Sequence, residues 1–200
     1  MPRTKSPVKT SLGMRTLDFW PITAEPANSH PTYGQSVNLG AAVKGYLSVT
    51  TTPASIVGDD IEQFFDEFFA SGQLDTETTL SDLQINATLF GHTYSEADGE
   101  ESKSSDSAAL GGVSFIEPIL RKDKTTVYRA TCLRKLCAIA SSEKQEADTR
   151  KPGEFSPKMN AVSFKIMEDN TRSWRVRNDF ATEDEAVAFI QKTFGAAAAG

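Results

Sequence analysis

Two histidines, an acidic cluster and two cysteines are the side chains in this 200-residue chain whose types could do chemistry. His92 sits in "SDLQINATLFGHTY", with Ser95 and Glu96 close by. A histidine base needs an orienting carboxylate and a nucleophile brought to it by the fold, and no G-x-S-x-G elbow or other nucleophile motif accompanies this one. His30 stands in a proline-rich stretch. Asp59, Asp60, Glu62, Asp66 and Glu67 could pair carboxylates or hold calcium, but their spacing is not that of an EF-hand loop, and a solvated acidic face is the simpler reading. Cys132 and Cys137 fit neither a zinc knuckle nor a CxxC redox pair and read as reduced thiols. Gly111-Gly112 reads as a turn or linker, since no lysine or helix start follows as a phosphate loop requires. Arg121, Lys122, Lys124, Arg129, Arg134 and Lys135 form a basic cluster that could touch DNA or pair with acidic patches of a neighbouring copy. No catalytic, cofactor or metal site emerges, and the chain is not expected to be an enzyme.

The elements that would position these residues are mainly strands. Five prolines in the first 32 residues (Pro2, Pro7, Pro21, Pro26 and Pro31) remove donors and restrict their neighbours, so 1–32 is expected to be an extended arm outside the core. A β domain is expected over 33–195, with long polar loops at 95–112 and 140–158, and 196–200 ("AAAAG") as a flexible tail. "VNLGAAVKGYLSVTTT" favours strands through its β-branched and aromatic content. "IEQFFDEFFASG" fits a helical stripe or a strand buried on both faces; the "ASG" and the alternating run after it favour strand, with a hairpin between the two runs. In "QLDTETTL", Leu74, Thr76, Thr78 and Leu80 share one side and Gln73, Asp75, Glu77 and Thr79 the other. Ser81 is the expected cap of a short helix with Leu83, Ala87 and Phe90 on one face, and Gly91 its stop. That makes "LFGHTY" a helix-to-sheet joint, with His92 packing or hydrogen bonding there. Two strands flank "RKDKT", and two more flank a turn at Asp169 and Asn170. A terminal helix starts with the capping box of Thr182 and Glu185.

Bulk composition is that of an ordinary, somewhat polar globular protein: 38% hydrophobic, 24% charged, formal net charge −6. The acidic balance argues against a dedicated nucleic-acid grip, which needs a basic face. No run of about 18 apolar residues suggests a membrane span, and the basic start lacks the apolar middle of a secretory signal.

The order of motifs from Tyr33 to Tyr94 resembles the major tail proteins of long, non-contractile tailed bacteriophages. The residues carrying it are Gly58-Asp59-Asp60 at a turn, Gly72-x-Leu74 in a strand, Asp82-Leu83 at a helix start, and Leu89-Phe90-Gly91-His92 with Tyr94 at a helix end. The similarity continues weakly through "GGVSFIEPI" and "AVSFKIMED". The resemblance implies an α+β, mainly β fold: a β-sandwich or partial barrel with a short helix and a C-terminal helix. It implies hexameric rings with a continuous inner β-barrel, stacked into a tail tube for the genome. The implied partners are the chain itself, a tape measure protein inside the tube, tail terminator and tail-tip or baseplate proteins, and DNA that passes without specific binding. Cofactors are not implied. The implied location is the virion tail, after synthesis in the host cytoplasm. The resemblance also allows a subunit that stays monomeric until an initiator complex nucleates it. On this reading Asp75 and Glu77 are candidate lumen-facing residues of an acidic wall, and Ser81, Gly91 and His92 form the helix-sheet joint. Two other classes compete: a monomeric β-sandwich binding or adhesion module, and a hydrolase using His92 and the carboxylates.

Overall fold

The computed structural model describes residues 9–58, 61–79, 82–142 and 160–195. In chain order the elements are β1 (Lys9–Ser11), β2 (Arg15–Ala24), β3 (Thr32–Tyr33), β4 (Val37–Asn38), β5 (Ala42–Gly58), β6 (Ile61–Thr78), α1 (Leu83–Phe90), β7 (Thr93–Ser95), β8 (Gly99–Glu101), β9 (Leu110–Arg121), β10 (Thr126–Ala138), β11 (Asn160–Met167), β12 (Arg175–Phe180) and α2 (Glu183–Phe194). Ten strands form one sheet with the path β3-β2-β9-β10-β11-β6-β5, while β7 and β8 pair separately. Every pairing is antiparallel. The described residues are therefore mainly β, with two α-helices.

The sheet is curled. Phe19 on β2 and Phe164 on β11 lie three strand spacings apart along the path, roughly 14 Å in a flat sheet. Their ring centroids are 6.4 Å apart and stacked. A bulge in the β9–β10 register between Leu133 and Leu136 supplies a bend. The chain then brings the two ends of the path together: β4 pairs with β2, and the next strand, β5, pairs with β6. Met14 packs on Gly45, where any side chain would collide with it. The result is a partial barrel around Leu17, Phe19, Leu74, Val113, Leu133, Phe164 and Ile166, with Leu89 and Phe90 of α1 packed into the same core.

On the outside of this wall α2 covers Trp20, Ile116, Ala130 and Cys132 with Ala186, Ile190 and Phe194. Phe194 stacks on Trp20 at 5.0 Å and meets Tyr33 edge-on at 4.6 Å. The Trp20 indole N–H donates to the Ser114 hydroxyl at 2.9 Å, which satisfies its buried polar end. Burial pushes the Cys132 thiol up to about 12. The expected capping box is present: Glu185 N–H donates to Thr182 Oγ1, and Glu185 accepts from Thr182 N–H. Thr182→Ala should cost about 1 kcal/mol of stability, readable as a lower urea midpoint at unchanged slope.

Several expectations require correction. The extended arm of 1–32 fails over Arg15–Ala24, which form β2, with Leu17 and Phe19 fully buried. Pro21 lies at the last register position of the β2–β9 pairing, where a missing N–H is tolerated. The boundary at 32/33 thus divides nothing, because β2 and β9 belong to one sheet. Gly111-Gly112 is not a linker but the interior of β9, where a side chain on Gly111 would strike Phe19 and one on Gly112 would strike Phe194. The two glycines let aromatic rings approach opposite faces of one strand. "ASG" (70–72) is no turn either: β6 runs through it, and its hairpin partner is β5. The loop at 95–112 holds the β7–β8 pairing and gives way to β9 at Leu110. Of the loop at 140–158, Ala140–Ser142 form a 3-10 turn, and 143–158 lie outside the described residues, as does the tail at 196–200.

Candidate functional site

The feature that stands out from the barrel is the β5–β6 hairpin. Its base is sheet: β11 pairs with β6 only from Gly72 to Thr78. Beyond Gly72, β6 continues to Ile61 with β5 as its partner. Those eleven residues make a two-stranded ribbon extending roughly 35 Å at about 3.3 Å per residue. Along its other edge β5 pairs with no strand among the described residues. An isolated two-stranded ribbon is marginal in water, and this one is anchored at its root. Phe69 stacks on Trp174 at 4.7 Å, and the Arg175 guanidinium lies 4.2 Å over the Trp174 ring.

Past that anchor two large apolar side chains of β6 are uncovered. Phe65 is 57% exposed and Phe68 56%; nearer the base, opposite Asp75 and Gly72, Tyr46 and Val49 of β5 are exposed as well. Alternation puts Phe65 and Phe68 on opposite faces of the ribbon, so no single packing partner within the chain could cover both. Asp66 and Glu67 between them are also exposed. Glu67 accepts from the Thr51 hydroxyl across the ribbon at 3.2 Å. Side chains of Asp59, Asp60 and Glu62 lie outside the described residues. The alternative of a helical stripe over the Phe64–Phe69 run is excluded by the strand.

Asp75 and Glu77 fall where the alternation places them, on the polar face of β6, half-exposed, while Leu74, Thr76 and Thr78 are buried. Asp75 accepts from Ser163 Oγ at 2.5 Å and from Gln73 Nε2 at 2.8 Å. Glu77 lies 3.7 Å from Lys44 Nζ, and a recess of about 320 Å³ is lined by Lys44, Tyr46, Asp75 and Glu77. The register adds Lys165 beside Gln73 and Cys137 beside Lys165 on the same face. This face therefore mixes acids with lysines instead of presenting the uniformly acidic wall that the two carboxylates alone suggest.

The joint at the end of α1 is built as a clasp. Asp82 caps the helix, accepting from Gln84 N–H at 2.8 Å and Ile85 N–H at 3.1 Å. The expected cap, Ser81, lies outside the described residues. Leu83 points outward, 51% exposed, and the buried face is Asn86, Ala87, Leu89 and Phe90. Gly91 adopts φ 76°, which glycine tolerates, and any side chain there would strike the Ser107 carbonyl. His92 then meets Glu100 of β8, with Nδ1 2.7 Å from Oε1, and stacks on Phe90 at 5.9 Å. Both members of the pair are less than a tenth exposed. The Ser102 hydroxyl is 3.1 Å from the same Nδ1. A nucleophile relay places acid and hydroxyl on opposite ring nitrogens; here both crowd one, so His92 pins the β7–β8 hairpin to the helix end.

His30 repeats the pattern. Its Nδ1 lies 2.7 Å from Asp169 Oδ2 and 3.1 Å from the Thr171 hydroxyl. The fully buried Asp169 side chain also accepts from Thr171 N–H and Ser173 N–H, and Asn170 Nδ2 donates to the Pro26 carbonyl at 2.9 Å. These bonds fasten the β2–β3 connection onto the β11–β12 turn. Burial alone would push the Asp169 carboxyl up, but the hydrogen bonds from Thr171, His30 and Ser173 outweigh it and hold the group below the ordinary carboxylate value. A depressed folded value means that its stabilisation is present above about pH 4, the unfolded value, and is lost as pH falls through the folded one. Asp169→Asn should therefore cost roughly 1–3 kcal/mol at neutral pH. Urea titrations should show that gap closing below about pH 4.

Sequence reasoning did not find the partners Glu100 and Asp169 or the Trp174–Arg175 anchor: Asp169 and the anchor come from segments distant along the chain, and Glu100, though eight residues from His92, is brought back to it only by the β7–β8 hairpin. Among the described residues no three His, Cys, Asp or Glu converge to hold a metal ion, and no helix is long and apolar enough to cross a membrane. Compared with known protein families and with curated proteins, the chain matches none.

Proposed function

We propose that the chain is a non-enzymatic structural subunit that polymerises, as stacked hexameric rings, into the tail tube of a long non-contractile tailed bacteriophage. The observation that carries this reading is the β5–β6 hairpin. A 17-residue strand with an edge unpaired among the described residues, continuing into a ribbon that exposes two phenylalanines, is an aggregation liability in a monomer. Soluble β proteins shorten, charge or cover such edges. A closed ring covers them with neighbouring copies and leaves no free edge. The ordered motifs from Tyr33 to Tyr94 point the same way, and the curled sheet with an outer helix is compatible with the implied partial barrel.

In this reading the subunit resides in the virion tail and meets the tape measure protein inside the tube and terminator and tail-tip proteins at its ends. DNA passes along the face that carries Asp75 and Glu77. Because lysines share that face, low adhesion to DNA rests on local neutralisation of charge, with no basic track for phosphates to follow. The test is whether the purified chain, concentrated and seeded with virion-derived tail tips, forms rings or hollow tubes. A chain that stays strictly monomeric under seeding fits the binding-module class instead.

A further inference from the structure

Which surface of a neighbouring copy receives the hairpin can be argued from charge. Residues 48–71 carry five acids and no Lys or Arg. Asp66 and Glu67, exposed between Phe65 and Phe68, make no ion pair among the described residues. The mirror image of this composition is "NTRSWRVR" (170–177), with three arginines and no acid. It runs into β12, which pairs with β10 on one side and with no strand among the described residues on the other. Arg172 and Arg177 are exposed there. Arg175 is held by Trp174, and both its burial and the nearby Arg177 charge disfavour its cationic form, so an anionic partner would relieve the crowding. Another basic surface, the turn of Arg121, Lys122 and Lys124, has as its outer strand only the three-residue β1, too short to receive the ribbon.

We propose that the β5–β6 hairpin of one copy docks edge to edge along β12 of the next, with Asp66 and Glu67, one on each face of the ribbon, facing Arg172 and Arg177, and with Phe65 and Phe68 covered by the parts of that copy that flank β12 on either face. The inference rests on the self-assembly reading and deepens it by naming the receiving surface. The contact joins two different patches, so it is head-to-tail and propagates around a ring. Within one copy the hairpin is tied at Phe69–Trp174, and its acids leave the β12 arginines unpaired among the described residues, so both charges remain available to a neighbour.

The test is a charge swap in the full-length chain, read by sedimentation and negative-stain microscopy. Asp66→Lys with Glu67→Lys, and separately Arg172→Glu with Arg177→Glu, should each raise the concentration needed for assembly about tenfold or more. Mixing the two variants should restore assembly, because the reversed hairpin then meets the reversed receiver. Assembly of the parent should weaken as salt rises. Circular dichroism checks the fold; where a double variant melts early, Glu67→Lys and Arg177→Glu alone serve, both at exposed positions. A receiver variant that assembles like the parent overturns the docking site and leaves the assembly reading standing. So does a mixture that stays dispersed. A parent chain that never assembles under seeding removes the assembly reading and this inference together.

Discussion

Phe19→Ala should lower the stability of the folded chain by about 3–5 kcal/mol, the cost of emptying a fully buried aromatic site. For a chain of this size that corresponds to a fall in melting temperature of roughly 10 °C or more. The expectation is at the upper end because of where the ring sits. Phe19 is completely buried, stacks on Phe164 across the curl of the sheet, and fills the space left by Gly111. Removing it leaves β2 and β11 without their contact through the barrel interior, and the strands cannot collapse onto the void without undoing the pairing of β9 and β10 that sets their spacing. Thermal unfolding by near-ultraviolet circular dichroism is the measurement. A loss below about 1 kcal/mol, an ordinary surface effect, would contradict the closed-core description.

The second large effect falls on assembly and spares the fold. Replacing both Phe65 and Phe68 with serine should leave the melting temperature nearly unchanged, since each ring is more than half exposed in the single chain. The same double substitution should abolish formation of rings or tubes at concentrations where the parent assembles. Buried aromatic anchors at the centre of an interface commonly carry 2 kcal/mol or more each, on the order of a thousandfold for the pair. Sedimentation and melting measured on the same samples separate the two readouts. Wild-type assembly by the double variant would show that the hairpin's aromatic residues are not the contact. A large loss of melting temperature would show that they pack within one chain.

Local patterns were legible in the sequence where a single element settles them. The alternation over Gln73–Thr79 placed Asp75 and Glu77 on the polar face, the Thr182–Glu185 spacing marked the start of α2, and the turn after Arg121 separated β9 from β10. What the sequence concealed depends on contacts between distant segments. Leu17, Phe19 and Trp20 looked like part of a proline-rich arm, because nothing local reveals that Pro21 falls where the β2–β9 pairing ends. Gly111 and Gly112 read as a break, although their missing side chains are spaces for Phe19 and Phe194. The Phe64–Phe69 run by itself satisfied helix and strand patterns equally; the sequence after it favoured strand, which β6 bears out, but not its partner β5. His92 and His30 carried no hint of Glu100 and Asp169, the latter 139 residues away. The assignment of His92 as a joint needed only the helix stop at Gly91. What it clasps required the fold.

The central claim is that an open-edged, aromatic hairpin makes this chain a self-assembling subunit. The most direct measurement is negative-stain electron microscopy of the full chain, concentrated and seeded with virion-derived tail tips, with mass photometry alongside. The account predicts hollow tubes or rings with six subunits in each. A single species at the monomer mass under the same seeding, with no rings on the grid, would contradict it.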